Sequence, residues 1–355
     1  MTTGKKSAVC VLALLGAALF WGTTFVAQNL GAGHVGTFTF LALRCYIGTA
    51  FLFPFILIRD LHRRKKLRTA FLTPVGEERK AGKGKIVDSA ELVQRQKARD
   101  KEGRKVLLIA GFCCGGALFL GSALQQYCIG LYVAEGDPCG TAKSSLITAL
   151  YVILVPIIST FVGKKPDRKL WISVGLCLVG MYLLCIKDSF QLTRGDLFIL
   201  LCAVGFAIQI MAVGYFSPKT DGLKLSAMQF LGTALISTVC MLLFEEIEIN
   251  AILAALPSIL YAGIVSNGIA YTLQIVGQKG VKPTVASLIM CMESLFGTLS
   301  GWLILHEVLT LREMAGCGLM FVAILLATAF ESRAQRVSER APRRRLLRQR
   351  QKQPA

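Results

Sequence analysis

The chain has 355 residues, 54% of them hydrophobic and 17% charged, with a formal net charge of +19 and a mean hydropathy of +0.58. Soluble domains carry about 25% charged residues. Here the apolar residues gather in blocks that reach the roughly 20 residues a bilayer-spanning helix needs, which excludes an ordinary soluble fold. The positive charge lies mainly in two stretches outside these blocks, so it reads as membrane topology and not as a nucleic-acid surface. The twelve cysteines form no C-x-x-C pair. Most sit inside apolar blocks, where a free thiol acts as a small hydrophobe.

The blocks predict ten spans in chain order. The first, 8–30, is too long for a cleaved signal core and carries Trp21, Thr23, Thr24 and Gln28. The second, 36–58, carries Arg44. A basic segment, 59–105, follows, beginning RDLHRRKKLR. Its second part, SAELVQRQKARDKEGRK, is polar on nearly every face and suits a solvated helix or a disordered stretch. The third span, 106–128, holds Gln125 and Gln126. The fourth, 140–162, holds Lys143 and Tyr151. Spans at 170–186, 195–216 (with Gln209) and 225–244 come next. The eighth, 251–277, contains Ser266, Asn267, Tyr271 and Gln274. The ninth, 283–306, contains Glu293, and the tenth is 313–331. A basic tail, 332–355, closes the chain.

With the N-terminus in the cytoplasm, the cytoplasmic pieces hold 35 of the 40 Lys and Arg residues and the outer pieces three. The outer side is acidic instead, as at Glu245, Glu246 and Glu248. This asymmetry favours the span count and places both termini in the cytoplasm. The basic loop and tail then lie beside anionic lipid headgroups.

The two halves echo one another. Ser145-Leu146-Ile147 recurs as Ser287-Leu288-Ile289, and LLGAALF in the first span as LLCAVGF in the sixth. Tyr127 and Gly136 are spaced like Tyr271 and Gly280. The shared order predicts an all-α integral membrane fold of ten helices in two inverted five-helix repeats: 1–190, with the insertion 59–105, and 191–331. Such repeats place a substrate site near the bilayer midplane, where they meet.

Ionisable groups inside a bilayer are costly, about 2.5–3.5 kcal/mol each on insertion scales, so the few present are informative. Glu293 falls near the middle of its span and suits a proton-coupling group, a substrate-amine partner or a structural carboxylate. Arg44 suits a substrate carboxylate, an ion pair or snorkelling outward. Lys143 lies close enough to its span's end to snorkel. Uncharged polar side chains in spans belong in the interior. The candidate substrate cavity is therefore Trp21, Thr24, Gln28, Arg44, Gln126, Tyr151, Gln209, Asn267, Tyr271, Gln274 and Glu293. Trp21 and Trp302 are candidate apolar walls. Gly111-x-x-x-Gly115 and Gly297-x-x-x-Gly301 have the spacing for close helix approach, and Pro156 and Pro257 for bends. No zinc-protease pattern, P-loop or metal-ligand cluster appears, so no metal or cofactor is expected.

Several stretches resemble the drug/metabolite transporter superfamily, specifically EamA-type transporters. They are FWGTTFVAQNL, the Arg44 context, LQQYCIGLYVAEGDPCGTAKSSLITALYVILVPI, GDLFILLCAVGFA and KPTVASLIMCMESLFGTLSGWLILHEVLTLREMAGCGLMFVAILL. The resemblance implies ten helices around a central cavity and transport of amino acids, nucleotide-related metabolites, cations or drugs, often outward. Glu293 and Glu307 resemble glutamates of the family's ninth-span pattern, with Ser294 where a proline commonly follows. The first half has GKKP where a Gly-Glu pair is common, and the long basic loop also departs from the family pattern.

The resulting expectation is a non-enzymatic secondary carrier or exchanger of a small polar metabolite, such as an amino acid, in the cell membrane, rocking its halves around the polar residues. A homodimer is compatible with it, and nucleic acid is not an expected partner. The competing readings are a channel, a sensor or scaffold acting through 59–105, and a membrane-embedded lipid enzyme.

Overall fold

The computed structural model describes residues 3–72, 89–135, 144–145, 147–163, 166–185, 194–305 and 310–350. These residues are helical apart from short turns and connections, with no strand among them. The helices are α1 (Thr3–Ala32), α2 (Thr37–Leu72), α3 (Ser89–Glu135), α4 (Tyr151–Phe161), α5 (Arg168–Cys185), α6 (Arg194–Phe216), α7 (Gly222–Phe244) and α8 (Ile249–Tyr261). A π-helical stretch, Ala262–Tyr271, continues α8 into α9 (Thr272–Gln278). Then come α10 (Pro283–Met290), α11 (Met292–Leu305) and α12 (Leu311–Arg350).

Six helical segments among the described residues are long and apolar enough to cross a membrane, and three shorter apolar helices accompany them. The surface is inverted relative to a soluble protein. Leu12, Phe53, Phe112, Ile172 and Leu242 face outward, while Gln28, Arg44, Gln126, Gln209, Gln229 and Asn267 are buried. Hydrocarbon around the bundle favours the first set and offers the second no partners, which drives it inward.

Helices run past the apolar blocks. α2 continues to Leu72 and α3 starts at Ser89, so the flanks of the basic segment are helical; residues 73–88 lie outside the described residues, as do Lys143 and Glu307. Pro54, Pro156 and Pro257 lie within α2, α4 and α8.

Two of the predicted spans are interrupted. Ala149 and Leu150 form a turn before α4, and Cys291 forms one between α10 and α11. At both places the backbone tightens to three-residue spacing, as in Ile153 N–H to Leu150 O at 2.9 Å and Ser294 N–H to Cys291 O at 3.3 Å.

α2 and α7 are joined along their lengths. The Glu245 carboxylate, just past the end of α7, accepts from Phe38 N–H at 2.7 Å, Thr39 N–H at 2.8 Å and Thr39 Oγ1 at 2.7 Å. An anion there satisfies the orphan amides and positive dipole of the α2 N-terminus. A Cβ on Gly36 would collide with this carboxylate. At the other end Asp221 caps α7, accepting from Leu223 N–H at 3.1 Å and Lys224 N–H at 3.3 Å, and pairs with Arg59 of α2. Lys224 Nζ meets Asp60 Oδ2 at 2.6 Å. Midway, Tyr46 Oη and Thr238 Oγ1 are 3.1 Å apart.

Backbones approach closely elsewhere too. A Cβ on Gly205 of α6 would lie 2.6 Å from Gly121 N of α3, and one on Gly115 would lie 2.7 Å from Gln229 O of α7. Small residues at such crossings allow van der Waals and hydrogen-bond contact between helices, which drives association in lipid.

Burial alone would push the Asp221 carboxyl up. The Arg59 guanidinium and the α7 backbone outweigh it, together with nearby Lys279, and hold the carboxyl below its usual range. A carboxyl held low by the fold contributes stability above its unfolded value, and loses it as pH falls through the folded value. Asp221→Asn should therefore lower thermal stability at neutral pH and flatten its decline in acid, measured by melting of detergent-purified protein. Gly205→Val should cost about 1–3 kcal/mol through overpacking, seen in the same melts.

Candidate functional site

α1 and α2 supply the first walls of a small central cavity, of about 40 Å³. Trp21, Thr24, Phe25 and Gln28 line it from α1, and Arg44 from α2. Thr24 Oγ1 is tied back to Phe20 O at 2.6 Å, leaving its methyl side for packing. Gln28 is held by two neighbours on α3: its Nε2 donates to Gln125 Oε1 at 3.1 Å and to Gln126 Oε1 at 3.2 Å. Gln125 Nε2 in turn donates to Thr148 Oγ1 at 3.2 Å.

A second amide cluster contributes Gln209 and Gln274 to the lining. Gln209 Nε2 of α6 donates to Gln229 Oε1 at 3.4 Å and to Gln274 Oε1 at 3.3 Å. Gln274 Nε2 returns a bond to Gln209 Oε1 at 3.0 Å. Gln209 and Gln274 thus exchange bonds with each other, as paired amides can away from lipid, while Gln229 Nε2 has no partner.

The charged groups are Arg44 and Glu293, 3% and 6% exposed. Glu293 Oε1 accepts from Tyr151 Oη at 3.2 Å. Each of these two residues follows one of the helix interruptions, and Tyr151 and Glu293 stand 142 positions apart, the same separation as Ser145 and Ser287. Arg44 pairs with no carboxylate among the described residues, unlike Arg59, which meets Asp221, and Lys224, which meets Asp60. Its guanidinium carbon lies 5.9 Å from the centre of the Phe40 ring, and its Nε has no hydrogen-bond partner. Trp21, another wall residue, has a buried Nε1 that likewise lacks one. Trp21 packs edge-on against Tyr271, with centroids 4.7 Å apart.

The cavity thus gathers nine of the expected residues: Trp21, Thr24, Gln28, Arg44, Tyr151, Gln209, Tyr271, Gln274 and Glu293. Two stand one layer back. Gln126 donates through Nε2 to Gln28 O at 3.2 Å and so positions a wall residue. Asn267, in the π-helical stretch, donates to Arg44 O at 3.2 Å and to Cys45 Sγ at 3.4 Å, which fixes the backbone that presents Arg44. A π-helical turn is a frequent device for redirecting side chains at functional sites.

Sequence reasoning did not single out Phe25, Thr148, Phe206, Ile210 or Met290 as wall residues. Phe206 ends the repeated LLCAVGF segment, and Thr148 directly follows the repeated Ser145-Leu146-Ile147, so the repeat itself marks both positions. No cluster of three or more potential metal ligands occurs among the described residues.

Residues 8–76 and 193–329 match the sequence model of the EamA-like transporter family. An uncharacterized transporter of Archaeoglobus fulgidus is 25% identical over 327 residues, covering 92% of this chain and 87% of that one. The uncharacterized transporter YoaV of Bacillus subtilis is 23% identical over 330 residues, covering 91% and 98%. A solved crystal structure aligns with a TM-score of 0.66 at 19% identity, across 92% of this chain and 99% of its own, which is a likeness of fold.

Replacing one member of the second amide cluster leaves the others unpaired in the interior. Gln209→Leu should destabilise the protein by about 1–3 kcal/mol, and Gln209→Leu with Gln274→Leu by less than the sum, as read from melting of the single and double variants.

Proposed function

The chain belongs to the EamA-like transporter family, and from that premise we propose that it is a secondary carrier or exchanger of a small zwitterionic metabolite such as an amino acid. It is a multi-pass membrane protein, and its relatives are named as transporters. The reading adds ten spanning helices in two inverted repeats, 1–190 and 191–331, with both termini cytoplasmic in the cell membrane. The lysine and arginine asymmetry and the paired helix interruptions support this arrangement. The basic flanks of α2, α3 and α12 would rest against anionic headgroups.

One observation carries the substrate assignment. Arg44 and Trp21 line the same cavity as Glu293, and each carries a buried donor without a partner, Nε and Nε1. Unmet donors in the interior are costly, and a carboxylate entering the cavity would meet them. An amine would meet Glu293 in place of Tyr151. A ligand with both poles satisfies both sides at once; an anion or a cation alone satisfies one. Trp21, Phe25, Phe206 and Tyr271 provide apolar wall for the rest of the molecule.

Glu293 also serves as the coupling group. A carboxyl buried in the bundle is far cheaper to carry across as the neutral acid, so proton uptake on one side and release on the other would drive its half of the cycle.

In proteoliposomes supplied with a labelled amino-acid mixture, uptake should depend on pH. Glu293→Gln should abolish that dependence while the protein stays folded. Arg44→Gln should weaken apparent affinity about tenfold or more, the scale of a hydrogen bond to a charged group. Unchanged pH-dependent uptake by Glu293→Gln would remove the coupling role.

A further inference from the structure

We infer that the parts of this carrier that move against each other are not its two sequence halves, but two bodies that each combine helices from both halves. The inference rests on the carrier reading above.

The first body is α2, α3, α6 and α7. Helices α2 and α7, one from each half, are tied at three levels: Glu245 on the α2 N-terminus, Tyr46 to Thr238, and Arg59–Asp221 with Lys224–Asp60. From Phe38 to Asp60 is about 33 Å of helix at 1.5 Å per residue. A single tie permits a pivot. Ties at both ends and the middle remove pivot and slide together. The Glu245 tie engages two main-chain amides and a side-chain hydroxyl, so it breaks only at the cost of three charge-assisted bonds.

Helix α3 belongs with this pair. Thr233 Oγ1 of α7 donates to Gly115 O of α3 at 2.9 Å. On its other side the α3 backbone lies against α6 at Gly121 and Gly205, and Cys128 Sγ donates to Gly195 O at 3.4 Å. Contacts this close between backbones interlock and do not deform gradually.

The second body is α1, α5, α11 and α12. A Cβ on Gly22 of α1 would lie 2.7 Å from Glu293 O of α11, and one on Gly180 of α5 would lie 2.8 Å from Gly316 O of α12. Cys177 Sγ of α5 and Cys291 Sγ at the α10–α11 interruption are 3.1 Å apart. Here too each close pair crosses from one half to the other.

The segment from α8 to α9 bridges the bodies, lying close to Cys10 O of α1 at Gly277 and to Arg44 O of α2 at Gly263, but where α1 meets α3 directly the connection is of another kind. Gln28 of α1 meets Gln125 and Gln126 of α3 through side-chain amides, beside the cavity. Such bonds exchange for water or substrate at small net cost. Opening along the α1–α3 seam would expose Gln28 and the cavity while leaving every tie between α2 and α7 intact. Rocking of the sequence halves would instead break all of those ties together.

The two schemes make opposite forecasts for two distances. Spin labels carried by unnatural amino acids at exposed Phe53 of α2, Leu242 of α7 and Ile172 of α5 would be placed pairwise in full-length protein in lipid nanodiscs. Pulsed electron–electron resonance would be recorded at pH 8, at pH 5 and with an L-amino-acid mixture. The expected result is a Phe53–Leu242 distribution that stays single and fixed, and a Phe53–Ile172 distribution that shifts or splits. A moving Phe53–Leu242 pair would overturn the inference, as would a fixed Phe53–Ile172 pair. Uptake by the same labelled proteins in proteoliposomes separates the two failures: fixed distances with uptake retained reject the division into bodies, and loss of amino-acid uptake by unlabelled protein rejects the carrier reading.

Discussion

Polar groups inside this bundle can be satisfied only by one another. Surrounding hydrocarbon offers no hydrogen bonds, and each unmet group costs several kcal/mol, roughly. That constraint explains why the glutamines of α1, α3, α6, α7 and α9 occur as mutually bonded clusters. It explains why Glu245 is spent on the start of α2 and Asp221 on the start of α7. It also makes the exceptions meaningful. Of the buried side-chain atoms without a partner among the described residues, Arg44 Nε and Trp21 Nε1 belong to residues that line the cavity.

The helix interruptions serve the same end. A continuous helix presents one face to the centre at a fixed pitch. The turn at Ala149–Leu150 and the turn at Cys291 reset that pitch just before Tyr151 and Glu293, and the two side chains meet. The π-helical stretch does the same for Asn267 and Tyr271. Backbone irregularity is concentrated where the chain lines or supports the cavity, as expected where protein surrounds it.

Much of this was legible in the chain itself. Block length and apolar composition gave helices near the right places, and the rarity of charge inside the blocks marked Arg44 and Glu293. The identity of polar residues in apolar blocks, such as Gln28 and Gln209, was enough to place them inside. Partners were not legible. That Gln126 holds Gln28 and Asn267 holds the Arg44 backbone depends on helix rotation, which composition does not encode. Nor did sequence order show that close packing runs across the halves, because glycine spacing marks a crossing without naming the helix on its other side. Phe25 and Ile210 were hidden for a plainer reason: an apolar wall residue looks like any other apolar residue in a span.

Transport of a zwitterion by alternating exposure of the cavity is the proposed function. Solute counterflow in proteoliposomes tests it most directly. Vesicles loaded with unlabelled amino acids and diluted into a trace of labelled ones should accumulate label transiently above its equilibrium level, because a carrier returns loaded. Label that only drifts to equilibrium would indicate an open pore, and label that stays outside would deny these substrates a path; either result would contradict the account.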